Sequence, residues 1–263
     1  MFNTGEYCSV VAYPEAMKAL QRVTIAAAVL CAAAFGVAGC ATSNPDDAVT
    51  DDSSTGEETP STGPADDSFE FELAWLDAGR MVAIVTQGSS TCVPVLEDVT
   101  ADGQHVTVTL NEGDANQVCT ADLTSRATLV PLPAGVDPKS DVDFVVTLGS
   151  ATGDEDLDGN ASLAGVPGEP TDYLPSAGWV EDSALVLLTW GSSSCPPIID
   201  SVEAGDGVGT VRFVSEDRVC TMDMAPRATI IDFGDQLDDD ADDGFTLELI
   251  GDNLDATLQV IEN

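Results

Sequence analysis

The chain has 263 residues, 43% of them hydrophobic, which is enough for one or two domains with buried cores. It carries 47 Asp and Glu residues against 8 Lys and Arg residues, a formal net charge of -39. This balance excludes nucleic acid as a partner, because polyphosphates are bound through clustered basic side chains. Adhesion to anionic lipid by charge alone is excluded for the same reason.

The N-terminal segment has the pattern of a secretory signal. A short positive region at 17–22 precedes an apolar stretch rich in Ala and Val at 23–39. The stretch ends in Val-Ala-Gly-Cys40, which resembles the lipobox of bacterial lipoproteins and implies a lipidated thiol on Cys40. We expect translation to start at Met17. The signal segment, residues 1–39 of the sequence, is expected to be absent from the mature protein. Two acyl chains would then anchor the chain to the outer face of the cytoplasmic membrane.

Residues 40–67 are predicted to be a disordered tether that follows the lipidated cysteine. The segment consists mostly of Ser, Thr, Pro, Gly, Asp and Glu. It has too few apolar side chains to offset the entropy lost on ordering. As a flexible coil it would span about 30 Å.

The remaining sequence contains an internal duplication. The landmarks of copy one recur in copy two in the same order and at similar spacing: Trp75 and Trp179, Cys92 and Cys195, Cys119 and Cys220, Asp122 and Asp223, Arg126 and Arg227. We predict β repeats at 68–150 and 174–263, joined by an acidic linker rich in Gly and Pro at 151–173.

Each copy has the periodicity of short strands and lacks an amphipathic helical pattern. Continuous apolar runs, typical of central strands, lie at 81–86 and 184–190, and alternating segments lie at 105–110 and 210–214. Later strands are expected at 144–148, at 245–250 and, in copy two only, at 257–261. The predicted fold is all-β, with two tandem small antiparallel sandwich-like or barrel-like domains.

The seven cysteines fall into groups by position. Two of them lie in the signal segment, Cys40 is the lipid site, and each repeat holds one pair. An exported location favours the disulfides Cys92–Cys119 and Cys195–Cys220. A zinc site is not favoured, since no histidine accompanies either pair and the Cys-x-x-Cys spacing is absent.

Two strings of copy two stand out: Gly-Ser-Ser-Ser-Cys195-Pro196 and Cys220-Thr-x-Asp223-x-x-Pro226-Arg227-x-Thr229. They resemble a module of uncharacterised secreted lipoproteins from high-GC Gram-positive bacteria (actinobacteria). Copy one departs from the pattern, with Thr91 in place of Ser and Ser125 in place of Pro. The resemblance implies export and carries no catalytic residue over to this chain.

The Gly-Ser-Ser string before each cysteine raises the hypothesis of a serine nucleophile. Such catalysis needs a histidine to accept the hydroxyl proton. The one histidine, His105, lies in copy one on the polar face of an alternating strand. We therefore interpret the serines as a tight turn and expect no enzyme activity.

Asp122 with Arg126, and Asp223 with Arg227, occupy equivalent positions just beyond the second cysteine of each copy. We predict a structural ion pair, or arginine bonds to the backbone, that fixes a loop to the next strand. The alternative is a clamp for an anion or carboxylate, which suits the forked guanidinium.

Asp154, Asp156 and Asp158, followed by Gly159, match the first half of a calcium loop. The twelfth position is Gly165, so the expected bidentate Glu is missing. The alternatives are a calcium site that stiffens the linker and a solvated acidic loop without a cofactor.

The sequence as a whole predicts a non-catalytic surface lipoprotein that binds an envelope protein or cell-wall ligand. Two copies on one chain would add avidity for a repetitive ligand. One alternative is an inhibitor or accessory protein of an exported enzyme, which would present the loops 88–94 and 191–197. Another alternative is a surface protein stabilised by calcium.

Overall fold

The computed structural model describes residues 68–113, 116–181, 183–205, 207–237 and 244–263. Across these ranges the chain forms fourteen strands and two single-turn 3-10 helices, at Asp77–Gly79 and Gly234–Gln236. Copy one contains β1 (Glu72–Leu76), β2 (Met81–Gly88), β3 (Val95–Asp102), β4 (His105–Asn111), β5 (Thr124–Pro131), β6 (Val142–Leu148) and β7 (Ala151–Leu157). Copy two contains β8 (Ser176–Glu181), β9 (Ala184–Gly191), β10 (Ile199–Gly205), β11 (Val208–Phe213), β12 (Ala225–Asp232), β13 (Thr246–Ile250) and β14 (Ala256–Ile261). The predicted all-β fold is confirmed.

The two copies use the same strand arrangement. In copy one, β1-β2-β5 form a three-stranded sheet and β3-β4-β6-β7 form a four-stranded sheet. In copy two the equivalent strands run in the order β10-β11-β13-β14-β8-β9-β12 as one seven-stranded sheet. The two sets of copy two are joined where β14 pairs with β8, through Val260↔Ala177 and Ile261↔Gly178.

The prediction of antiparallel sheets is wrong at one strand pair in copy one and at two strand pairs in copy two, where β14 also pairs with β8 in parallel. β4 pairs with β6 in parallel, and β11 pairs with β13 in parallel. In each case the intervening strand, β5 or β12, belongs to the other set of strands. The chain therefore crosses over and returns in its original direction, which produces a parallel pair.

The predicted linker at 151–173 begins with a strand, so the boundary at residue 150 is wrong. β7 pairs with β6 from Val142↔Leu157 to Leu148↔Ala151 and lies at the edge of its sheet. Only Gly153 and Leu157 of this strand are buried, and its other positions are mainly acidic. The sequence therefore lacks a hydrophobic alternation there. The expectation that the last strand exists in copy two only is also wrong.

The apolar runs of β2 and β9 have both faces buried. Val82 and Ile84 point into the core of copy one, which combines side chains from both of its sheets. Met81, Ala83 and Val85, on the opposite face of β2, belong to a separate cluster with Val186 and Leu188 of β9. A strand buried on both sides needs apolar residues at every position, which explains the continuous run.

The shared cluster joins the two copies through equivalent sheet faces. It contains Ala74 and Leu76 of β1, residues of β2 and β9, and partly buried side chains of β5 and β12. Gly178 allows β8 to approach β1 closely, since a Cβ there would lie 2.3 Å from the carbonyl oxygen of Trp75. The described residues accordingly fall within one compact unit of the chain.

Hydrogen bonds of the Asn263 side chain connect the two copies. Its Nδ2 donates to the carbonyl oxygens of Leu73 (2.8 Å) and Trp179 (2.9 Å). Its Oδ1 accepts a bond from the backbone N–H of Trp75 at 3.4 Å. One side chain thus contacts the backbone of the first strand of each copy.

Candidate functional site

Both predicted disulfides are present. Cys92 bonds to Cys119 and Cys195 bonds to Cys220, with Cα atoms 5.5 Å and 5.7 Å apart. The first cysteine of each pair is buried, whereas the second is exposed. Each bond attaches the connection before the fifth strand of a copy to the turn after its second strand. We call these connections the first disulfide loop (112–123) and the second disulfide loop (214–224).

A cluster of hydroxyl groups around a carboxylate holds each disulfide loop against the Gly-Ser-Ser turn. In copy one, Asp122 accepts bonds from the Thr120 hydroxyl and from the backbone N–H of Ser90, the latter at 3.2 Å. The Ser89 and Thr120 hydroxyl oxygens are 2.8 Å apart.

The same cluster recurs in copy two. Asp223 accepts bonds from Thr221 and from the backbone N–H of Ser193, the latter at 3.3 Å, and Ser192 lies 2.7 Å from the Thr221 hydroxyl. In both copies the hydroxyl donors lower the pKa of the carboxyl group to about 2. The two carboxylates are therefore fixed and ionised at neutral pH.

The predicted ion pairs of Asp122 with Arg126 and of Asp223 with Arg227 do not form; each arginine bonds to backbone instead. Arg126 donates to the carbonyl oxygens of Cys92 and Gln87, and Arg227 to those of Cys195 and Trp190. Each aspartate bonds to the Gly-Ser-Ser turn instead, so the aspartate and the arginine of each copy hold the same turn. The arginine–backbone bonds that the sequence offered as the second possibility are the ones present.

Glycine at the end of the second strand makes room for each guanidinium. A Cβ on Gly88 would lie 2.4 Å from Arg126 Cζ, and one on Gly191 would lie 2.9 Å from Arg227 Cζ. The first residue of the Gly-Ser-Ser string is thus explained by packing against arginine. Because carbonyl oxygens occupy several guanidinium donors, these arginines are poorly placed as an anion clamp.

The disulfide loops expose apolar side chains, which the sequence reasoning missed. Val118 is 89% exposed and Leu123 is 79% exposed in the first loop. In the second loop Val219 and Met222 are fully exposed, and Met224 is 62% exposed. The signal available in the sequence was the presence of large apolar residues on both sides of a disulfide cysteine, in a segment between two strands.

An open groove of about 530 Å³ lies beside the first disulfide. Its lining includes Glu97, Glu112, Gln117 and Arg126 together with the disulfide itself. Polar groups of both charge signs therefore border the groove.

The three predicted calcium ligands do not form a loop. Asp154 and Asp156 lie in β7, and Asp158 follows it. The neighbouring carboxylate of Asp143, opposite on β6, is the main cause of a raised pKa for Asp156. Among the described residues no group of three or more His, Cys, Asp or Glu side chains is arranged to hold a metal ion. The predicted calcium loop is a strand in the structure, and calcium binding itself stays a prediction.

His105 lies on the exposed face of β4, as the alternation predicted. Its Nδ1 is 2.5 Å from Oδ2 of Asp143 on the adjacent strand. The histidine therefore pairs with a carboxylate of its own sheet. The serine turn has its own partners, the Thr120 hydroxyl and Asp122.

The signal segment, Cys40 and the tether lie outside the described residues. Within the part of the chain that is described, no helix is long and apolar enough to cross a membrane. No protein-family model matches the chain, and no match is found among curated proteins or solved structures. Fold and site define an all-β protein with two matched, disulfide-bonded repeats of seven strands.

Proposed function

We propose that this chain is an exported lipoprotein, anchored through Cys40, that binds a component of the cell envelope without catalysing a reaction. The observation that carries the proposal is the duplicated disulfide loop. In both copies a disulfide and a hydroxyl–carboxylate cluster fix the loop to the Gly-Ser-Ser turn, and apolar side chains project from the loop into solvent. Exposed apolar side chains that cluster on a fixed loop are typical of binding surfaces.

For the finer architecture we propose two tandem β-sandwiches that share a third core. The core of copy one draws on Trp75 of β1 and Phe144 of β6, which belong to different sheets. The core of copy two likewise draws on Leu187 of β9 and Leu247 of β13. These contacts support two layers per copy, with the third core formed where the copies meet.

The hydrogen bonds of the hydroxyl, carboxylate and guanidinium groups around each disulfide favour binding over catalysis. The hydroxyl groups of each turn bond to one another and to Asp122 or Asp223, whose lowered pKa makes them poor proton acceptors at neutral pH. The arginines bond to carbonyl oxygens. These arrangements suit a rigid binding surface.

A second candidate is an inhibitor or accessory protein of an exported enzyme. The exposure of Ser90 and Thr91 in copy one, and of Ser193 and Ser194 in copy two, favours it, because the loops 88–94 and 191–197 are accessible to an enzyme. Loops that are fixed before binding lose little entropy on association.

The anchoring half of the proposal is tested by metabolic labelling with a radioactive fatty acid followed by membrane fractionation. We expect the wild-type chain to be labelled and to sediment with membranes. Cys40→Ala should abolish the label and release the chain from the membrane pellet. Label retained by the Cys40→Ala variant would contradict the proposal.

To test binding, vesicles that carry the full-length lipidated chain are mixed with envelopes isolated from cells that lack the chain. We expect saturable binding of these envelopes that falls at least about tenfold when Val118→Asp and Val219→Asp are combined. Val145→Asp is the matched control, since Val145 is 41% exposed on β6. Equal binding by the wild-type chain and the double variant would contradict a role for the loops.

A further inference from the structure

We infer that the second disulfide loop docks into an apolar pocket of a protein and that basic side chains border this pocket. The inference rests on the proposed function and names the chemistry of the partner. Three features carry it: the extent of the apolar surface, the fixation of the loop and the charges around it.

The apolar surface is larger in copy two than in copy one. Val219, Met222 and Met224 lie within six residues, and each is more than half exposed. At the position equivalent to Met222, copy one has the small Ala121. Methionine is flexible and polarisable, which suits an apolar pocket of irregular shape. The second loop therefore offers the stronger anchor.

The backbone that carries these side chains is fixed at several points. The disulfide to Cys195 holds Cys220, and Thr221 bonds through its hydroxyl to Ser192. Arg218 donates to the carbonyl oxygen of Pro196 at 3.1 Å. Docking would consequently order little additional backbone, which reduces the entropy lost on binding.

Acidic groups surround the apolar side chains. Glu216 and Asp217 are exposed just before Val219, and Asp223 lies between the two methionines. The pKa of Asp223 is lowered to about 2, chiefly by the hydroxyl of Thr221, so this rim charge persists over the physiological range. Arg218 forms an ion pair with Asp252 at 3.7 Å, which offsets its positive charge.

The charges select a protein over a lipid surface. A net charge of -39 repels anionic headgroups, so burial of the methionines in such a membrane would be opposed by electrostatics. A pocket edged by Lys or Arg would meet the acidic rim with opposite charge, accelerate encounter and fix the orientation of docking. An apolar centre with a polar rim is the usual anatomy of a protein interface.

The experiment is site-specific photocrosslinking in cells that produce the full chain. A diazirine-bearing amino acid replaces Met222, and the same amino acid at Val145 is the matched control. We expect adducts from position 222 on one protein, mapped by mass spectrometry to apolar residues flanked by Lys or Arg. Position 145 should give no such adduct.

The charge rim is tested in the same cells by combining Glu216→Gln with Asp217→Asn. We expect the adduct yield to fall about fivefold, because the rim charges attract the basic border of the pocket. Both side chains are exposed, and circular dichroism should confirm unchanged folding of the variant.

Several outcomes would overturn the inference: adducts on lipid, on glycan, on a second copy of this chain or on a protein site without basic neighbours. An absence of adducts or equal adduct yields from positions 145 and 222 would also overturn it. The same holds for an adduct yield that is unchanged by the combined Glu216→Gln and Asp217→Asn substitutions. The envelope-binding measurement with Val118→Asp and Val219→Asp is separate. If the loops bind an envelope component of different chemistry, binding would still fall in the double variant while the crosslinking experiment fails. Failure of this inference can therefore be distinguished from failure of the proposed function.

Discussion

Replacing Leu188 by Ala tests whether the two copies depend on each other for stability. Leu188 is fully buried on the face of β9 that packs against copy one. Loss of the transfer free energy amounts to about 2.5 kcal/mol. The incompletely filled cavity raises the expected cost to about 3–5 kcal/mol. Because the cavity lies in the shared core, we expect this loss in copy one as well as in copy two.

The assay is hydrogen exchange measured by mass spectrometry on peptides from β2 and β9. A loss of about 3 kcal/mol corresponds to exchange about 100-fold faster in both strands where global opening governs exchange. Leu247→Ala is the matched control, since Leu247 is equally buried in the core of copy two alone. Leu247→Ala should increase the rate of hydrogen exchange more in β9 than in β2. Wild-type protection of β2 in Leu188→Ala would refute the reasoning, because copy one would then be stable without this contact.

Four further substitution experiments test single contacts. Cys195→Ser combined with Cys220→Ser, which opens a loop with a sequence separation of 25, should lower the free energy of unfolding by about 3–4 kcal/mol in denaturant titrations. Arg227→Lys should cost about 1–3 kcal/mol in the same titrations, because the ammonium cannot reproduce the forked bonds to two carbonyl oxygens. Gly178→Ala should lower the melting temperature and cost about 1–3 kcal/mol, because its Cβ meets backbone of β1. The pKa of Asp223 falls from 3.8 to about 2 on folding, so its stabilising effect is present above about pH 4 and is lost as the pH falls toward 2. Asp223→Asn should remove this acid dependence, and carboxyl NMR titration of the wild type should find the lowered pKa. A wild-type free energy of unfolding in any of the first three variants, or a normal pKa for Asp223, would contradict the corresponding contact.

Local patterns in the sequence were sufficient to predict seven of the fourteen strands and both disulfides. Gly103, with φ +63, lies between the paired strands β3 and β4, and Gly207, with φ +71, lies between the paired strands β10 and β11. The paired cysteines recur at matched positions in both copies, which made the bonding pattern evident. These features depend on residues close in sequence or on the repeat itself.

Contacts between distant segments were less predictable. The continuous apolar run in β9 is typical of a central strand buried on both faces, but both cores require the same kinds of residue, so the run did not identify what covers each face. β7 was missed because an edge strand can be acidic at most positions when only Gly153 and Leu157 are buried. The bonds of Asn263 join positions 188 and 190 residues apart and leave no local pattern.

The candidate site was predicted in part. The sequence identified Arg126, Arg227 and their aspartates as a matched set that fixes a loop. It left open an ion pair within the set and arginine bonds to the backbone, because the spacing in sequence does not distinguish the two. In the structure, the backbone carbonyl oxygens of the turn are nearer to the arginines, and the hydroxyl groups are nearer to the aspartates.

The shared core has a consequence for how this architecture arose and where it stops. Equivalent sheet faces of the two copies pack against each other, as in an isologous dimer with twofold symmetry. Within the described residues such a pairing is closed, because each copy uses this face on the other copy. A fused homodimer fits this geometry better than a growing array of repeats. A chain with one copy alone would expose the face of Met81, Ala83 and Val85, and we expect it to recover the lost burial by self-association.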